Sequence, residues 1–255
     1  MYNFFVSEEN RHDSCYYIFG SDYNHIVNVL RMQVGDEFLV SDNGQSHLCR
    51  ISNIDCENVV ADVVEKNYRQ TELGLKIYLF QGLPKSDKME FIIQKTVELG
   101  VNCIIPVEMS RCVVNLDDKK KKSKVGRWQA IAESAAKQSK RNIIPEIKEV
   151  MTFNKAVEKA KELDMFLIPY ENKDGMSSTL SALKKIQNNT SIGIFIGPEG
   201  GFDEKEIAYA VENSGQTVSL GKRILRTETA AITSVGMCML YSEIMNGENN
   251  EKITY

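Results

Sequence analysis

The hydrophobic pattern of this 255-residue chain changes its period once, near residues 66–72, and that change limits how the chain can fold. Before it, apolar residues recur as they do in strands. Residues 36–41 and 45–54 flank Asn43-Gly44, a dipeptide that accepts the positive φ angles of a tight hairpin turn, and residues 59–65 are a third β-branched run. One short helix is expected among them, with Asp22 as N-cap and His25, Ile26, Val29 and Leu30 following. After the change, strands over residues 75–80, 103–107, 165–169, 192–196 and 217–220 alternate with helices over 87–99, 124–139, 152–163, 178–186, 203–213 and 227–245. Asp87 with Glu90, and Asp203 with Glu206, have the spacing of capping boxes. The pattern predicts two domains: a small β-barrel-like domain over residues 1–70, and an α/β domain with a largely parallel sheet over 73–255.

Composition narrows the function. The longest apolar runs, such as residues 192–196 and 237–241, fall far short of the roughly 20 residues of a membrane span. No basic stretch followed by an apolar core opens the chain, so a cytoplasmic protein is expected. The six cysteines form no CxxC pair and the three histidines do not cluster with them. That argues against a zinc site, and scattered thiols suit a reducing compartment. The net charge is −4, yet the segment 111–148 holds eleven Lys or Arg against four Asp or Glu. Such asymmetry suits a polyanion-binding face, with Arg111, Lys137, Lys140 and Arg141 as its candidates, and equally a solvated helix face.

In an open α/β sheet, ligands collect at the carboxyl ends of strands. Three expected strand ends have unusual sequence: Leu167-Ile168-Pro169-Tyr170-Glu171, Ile196-Gly197-Pro198-Glu199-Gly200-Gly201-Phe202, and Leu220 to Thr229. The second lets backbone approach a ligand closely. It has neither the GxGxxG of a dinucleotide loop nor the GK[ST] of a P-loop. Glu199, Asp203, Glu204 and Glu206 would repel a phosphate at the helix start, so a neutral or cationic ligand fits better. S-adenosylmethionine has that character. A Gly-Pro turn without a ligand has the same sequence. In the third loop Lys222, Arg223 and Arg226 are too densely charged to be buried without partners, and Ile224 with Leu225 could wall an adenine. The helix after it is rich in small and flexible side chains, which suits either close packing at a dimer interface or an ordinary core helix.

Taken in order, Lys88-Met89-Glu90, Ile93-Gln94-Lys95, Glu98-Leu99-Gly100, Ser110-Arg111-Cys112, Arg127-Trp128, Gln138-Ser139-Lys140-Arg141-Asn142, Gly197-Pro198-Glu199-Gly200-Gly201 and Leu220-Gly221-Lys222-Arg223-Ile224-Leu225-Arg226-Thr227-Glu228-Thr229-Ala230 resemble the RsmE family. These are 16S ribosomal RNA uracil-N3 methyltransferases of the SPOUT superfamily. The run His25 to Met32 extends the resemblance into the N-terminal part. The resemblance implies a PUA-like barrel for RNA, a C-terminal α/β domain with a deep trefoil knot, a homodimer, and S-adenosyl-L-methionine bound between the three loops. On it, the cofactor residues would be Leu167, Ile168, Pro169, Tyr170, Ile196, Gly197, Pro198, Glu199, Gly200, Gly201, Leu220, Gly221, Ile224, Leu225, Arg226 and Thr227. One departure is visible: Asn3 stands where the family often has an arginine, which leaves Arg11 or Arg31 to meet RNA in its place.

Methylating uracil N3 requires the N3 proton to leave, and the base must be unpaired because N3 lies on the Watson–Crick edge. Arg226 is the candidate for stabilising the uracil anion. Glu228 is a candidate base, a partner orienting Arg226, or simply a carboxylate in a first helical turn. Two other readings stay open: an α/β enzyme with a nucleotide cofactor, which the missing phosphate motifs disfavour, and an RNA-binding protein that keeps the fold without catalysis.

Overall fold

The computed structural model describes residues 1–170 and 175–247. The chain forms two compact units, one of residues 1–72 with 136–144, the other of residues 73–135 with 145–255. The sequence pattern had no means of assigning 136–144 to the first.

The first unit is a six-stranded sheet of order β1-β4-β5-β6-β3-β2. Its strands are β1 (Asn3–Phe5), β2 (Arg11–His12), β3 (Cys15–Ile18), β4 (Glu37–Asp42), β5 (Gln45–Ile54) and β6 (Val59–Glu65). The β4–β5 turn is made by Asn43 and Gly44 at φ 46° and 79°, and the register follows from it, with Asp42 opposite Gln45 and Leu39 opposite Leu48. Phe4, Tyr16, Ile26, Phe38, Val40, Cys49, Ile51 and Val59 fill the core. The helix expected at Asp22 starts earlier. Here α1 (Gly20–Asn24) follows Phe19 without a side-chain cap, and a π-helical turn, His25–Val29, continues it. Asp22 is not the cap because its carboxylate takes a stronger partner, the Lys137 ammonium, at 3.0 Å.

Residues 136–144 are tied to this unit by buried polar contacts. Asn3 Nδ2 donates to the Arg141 carbonyl at 3.0 Å and its Oδ1 accepts from Ser41 Oγ. Arg141 is 3% exposed and forks onto Glu72, whose Oε1 also accepts from the backbone N–H of Asn142 at 2.8 Å.

The second unit is a seven-stranded parallel sheet. Its strands are β7 (Lys76–Gly82), β8 (Cys103–Glu108), β9 (Glu146–Ile147), β10 (Met151–Thr152), β11 (Met165–Pro169), β12 (Ser191–Ile196) and β13 (Gln216–Val218). Their order is β10-β8-β7-β12-β11-β13, with β9 also on β8. The expected α/β class with its parallel sheet is what forms. Phe80 and Phe195 stack at 4.4 Å on one face, where Phe153, Ala156, Val157 and Ala160 of α4 (Phe153–Ala160) cover them at helical spacing.

The other helices are α2 (Lys88–Glu98), α3 (Asp118–Ser139), α5 (Met176–Leu183), α6 (Glu204–Glu212) and α7 (Thr227–Gly247). Helix α3 begins six residues before the expected Lys124, because the Asp117 carboxylate accepts from the Lys120 N–H at 2.8 Å and starts the helix inside the lysine run. At α6 the capping box forms as predicted, Asp203 accepting from the Lys205 N–H and Glu206 from the Asp203 N–H. At α2 it does not. The Asp87 side chain makes no cap bond, and Glu90 pairs with the Arg127 guanidinium at 2.9 Å, a charge-assisted bond that outcompetes a neutral peptide N–H. Among the described residues no helix is long and apolar enough to cross a membrane.

Candidate functional site

Parallel pairing puts the three candidate loops side by side. Strand β11 lies between β12 and β13, with Leu167 opposite Ile194 and Pro169 opposite Val218, so the loops after all three strands leave the same edge of the sheet. Tyr170 continues the pairing by donating its N–H to the Val218 carbonyl at 3.0 Å. Thr179 of α5 secures the third loop, donating Oγ1–H to the Ser219 carbonyl at 2.7 Å. Glu171 lies outside the described residues.

The loop after β12 is closely packed against its own backbone. A Cβ on Gly197 would sit 3.1 Å from the carbonyl carbon of Gly201, and one on Gly200 would meet the Arg111 Cβ at 2.9 Å. Arg111 lies over this loop, donating to the Gly200 carbonyl and pairing with Asp203 at 3.6 Å. A buried polar chain joins the ends of β7 and β12 to the last helix. Gln81, fully buried near the end of β7, donates Nε2–H to Thr227 Oγ1 at 3.0 Å, and Thr227 donates to the Gly197 carbonyl at 2.7 Å. The remaining oxygen of Gln81 has no hydrogen-bond partner among the described residues, although it is buried.

Beside this chain Lys88, the first residue of α2, places its ammonium 3.0 Å from Glu199 and 3.3 Å from Glu228. Glu199 also accepts from the Lys85 N–H at 3.1 Å. Burial would push the Glu199 carboxyl up, but its backbone bonds and Lys88 outweigh that and hold it below the ordinary value. Lys88 is pushed up, chiefly by its bond to Glu199. Sequence reading did not select Lys88 or Gln81 as site residues, because neither lies in a glycine-rich or strongly charged loop and their partners are more than 100 residues away.

Of the expected cofactor residues, Leu167, Ile168 and Ile196 are core side chains at 1–2% exposure, so a ligand would meet their backbone only. Pro198 and Thr227 are buried as well, while Ile224 is 100% exposed and Leu225 half-buried. Arg226 is exposed and its guanidinium makes no ion pair with any described residue. Glu228 is not bonded to it, so of the alternatives for Glu228 the one in which it orients Arg226 does not form: the carboxylate has turned to Lys88. Pro169, Tyr170, Gly201, Leu220 and Gly221 are at least partly accessible along the same edge.

The basic segment is less available than its charge suggests. Seven of its eleven cations are ion-paired, five of them with acids from distant parts of the chain. Arg141 is the clearest correction, since it is buried against Glu72 and cannot reach a phosphate. Lys137 is held by Asp22, and Arg11 by Asp42 at 3.4 Å. Lys140 is partly exposed and Arg31 exposed. Asn3, at the position of the absent arginine, is a buried structural residue.

Residues 71–239 match the RNA methyltransferase domain family, and residues 20–64 the RNA methyltransferase PUA domain family. The chain is 39% identical over 235 residues to ribosomal RNA small subunit methyltransferase E of Bacillus subtilis, covering 91% of this chain and 92% of that one. It superposes on a crystal structure of an uncharacterised protein with a TM-score of 0.88 at 35% identity, over 95% of this chain and 99% of the other. It also superposes on ribosomal RNA small subunit methyltransferase E from Neisseria gonorrhoeae, solved with S-adenosyl methionine bound, with a TM-score of 0.78 at 32% identity, over 93% and 96% of the two chains.

Proposed function

This chain belongs to the ribosomal RNA small subunit methyltransferase E family, and from that premise we propose that it methylates N3 of one specific uridine in 16S ribosomal RNA. It is an rRNA methyltransferase, and its cofactor is S-adenosyl-L-methionine. The three adjacent loops suit that cofactor. Their backbone is tightly folded around Gly197, and the start of α6 is acidic, which disfavours a phosphate and tolerates a sulfonium. We assign binding to the edge formed by residues 169–170, 196–201 and 220–227, with Ile224 and Leu225 offering apolar surface to an adenine ring. The same reading includes a homodimer, a trefoil knot in the path of α7, and a cytoplasmic site of action.

When bound, the cofactor supplies an electrophilic methyl group on sulfur. The protein's share is to hold the uracil base and to stabilise the charge that develops as N3 loses its proton. The observation that carries this is the exposed guanidinium of Arg226, which has no ion pair among the described residues and can present a planar fork of donors to a delocalised uracil anion. Glu228 is engaged by the Lys88 ammonium at 3.3 Å rather than turned to the base, so on this reading the proton passes to water.

The test is to incubate the protein with labelled cofactor and 16S RNA, as the free RNA and as the small subunit, and to map the modified nucleoside by mass spectrometry. A single 3-methyluridine is expected. Methylation at carbon 5, at a ribose, or of no RNA would overturn the assignment. Light scattering of the same preparation reads the dimer, and a monomer at micromolar concentration would remove that part.

A further inference from the structure

Lys88 stands where local electrostatics disfavour it. As the first residue of α2 it places a cation at the positive end of a helix dipole, and it contributes nothing to the cap. Its ammonium instead reaches two carboxylates from two other elements: Glu199 in the loop after β12 at 3.0 Å and Glu228 in the first turn of α7 at 3.3 Å. The three side chains are 16–30% exposed, so water screens them only in part. One Glu228 oxygen has no hydrogen bond among the described residues, where this ion pair is what compensates it. The two carboxylates share a single cation, and the cluster carries one net negative charge.

Arg226 lies two residues before Glu228 and is the nearest cation in sequence to that carboxylate, yet it makes no ion pair with any described residue. A guanidinium two residues from a carboxylate is a candidate counter-ion for it, and here the Glu228 carboxylate is paired with Lys88 instead. We infer that Lys88 is a positioning residue: by serving as counter-ion to Glu199 and Glu228, it leaves the guanidinium of Arg226 free for the substrate. This rests on the reading of Arg226 given above. Lys88 acts through Arg226, and no bond to the base or the cofactor is required of it.

The consequences differ from those of a residue that merely stabilises the fold. In Lys88→Met the two carboxylates lose their cation, and Arg226 becomes their best remaining partner. The saturated single-turnover rate of methyl transfer should fall on the order of tenfold, with the cofactor dissociation constant changing much less. Lys88→Arg keeps the counter-ion and should hold most of the rate. Adding Glu228→Gln to Lys88→Met removes the nearest trap for Arg226 and should recover part of the rate, so the two changes are not additive.

A second readout does not depend on catalysis. Phenylglyoxal modifies free guanidinium groups, and mass spectrometry can follow the modification of Arg226 in the folded protein. The modification should be slower in Lys88→Met and in Lys88→Gln than in the wild type, and should return with the added Glu228→Gln. If the modification rate of Arg226 is unchanged in both folded variants, or if their saturated rates stay within twofold of wild type, the counter-ion role is wrong. If the wild type transfers no methyl group to uridine, the functional reading fails instead, and the labelling still decides what Lys88 does.

Discussion

Arg226 and Glu228 are separated by one residue and have opposite situations. Thr227 between them is 5% exposed and bonded on both sides, so it pins the start of α7 while Arg226 projects outward and Glu228 turns toward α2. A guanidinium keeps its charge at every working pH and offers paired donors, where a lysine offers a point charge. Arg226→Lys should therefore be nearly as damaging as Arg226→Ala, each lowering the saturated methyl-transfer rate on the order of 100-fold. Single-turnover kinetics at saturating RNA and cofactor checks this. Weakened binding with an unaltered rate would move Arg226 from the chemistry to binding.

At the scale of elements, the short segment 136–144 shows what a charge count misses. It reads as part of a basic, RNA-facing helix end, and in space its most basic residue is a strut. Arg141 is almost fully buried against Glu72, which is itself 16% exposed and also accepts from the N–H groups of Asn142 and Ile143. Truncating one member of a buried pair leaves the other charge uncompensated, which costs roughly 3–5 kcal/mol. Glu72→Ala should lower stability by that amount in denaturant titration, while the exposed Lys122→Ala should be within error of wild type. An unchanged unfolding midpoint for Glu72→Ala would mean that the pair contributes no net stability.

For the whole molecule, the question is where a chain of net charge −4 meets a polyanion. With Arg141 buried and Lys137 paired, Arg31 and Lys140 are the candidate cations of the first unit best placed to meet phosphate. Removing one cation that touches a phosphate of single-stranded RNA flattens the dependence of log affinity on log salt by about 0.7. The double variant Arg31→Ala, Lys140→Ala should bind RNA more weakly and with a shallower salt slope, at unchanged cofactor affinity. Identical slopes would place the footprint elsewhere, with Lys119, Lys122 and Lys124 next in line. By itself the sequence determined whatever depends on neighbours a few residues apart: the Asn43-Gly44 hairpin, the α6 capping box, the strand and helix periods, and the three loops with their acidic helix start. Those signals are local because turns, caps and amphipathic faces are set within one or two helical turns. Tertiary structure decided which charges find each other. Glu90 went to Arg127, Asp22 to Lys137 and Glu228 to Lys88 over separations of 37 to 140 residues, because a distant opposite charge brought within 2.9–3.3 Å outcompetes a nearby neutral N–H or a cation two residues away, and nothing in the linear order encodes that encounter.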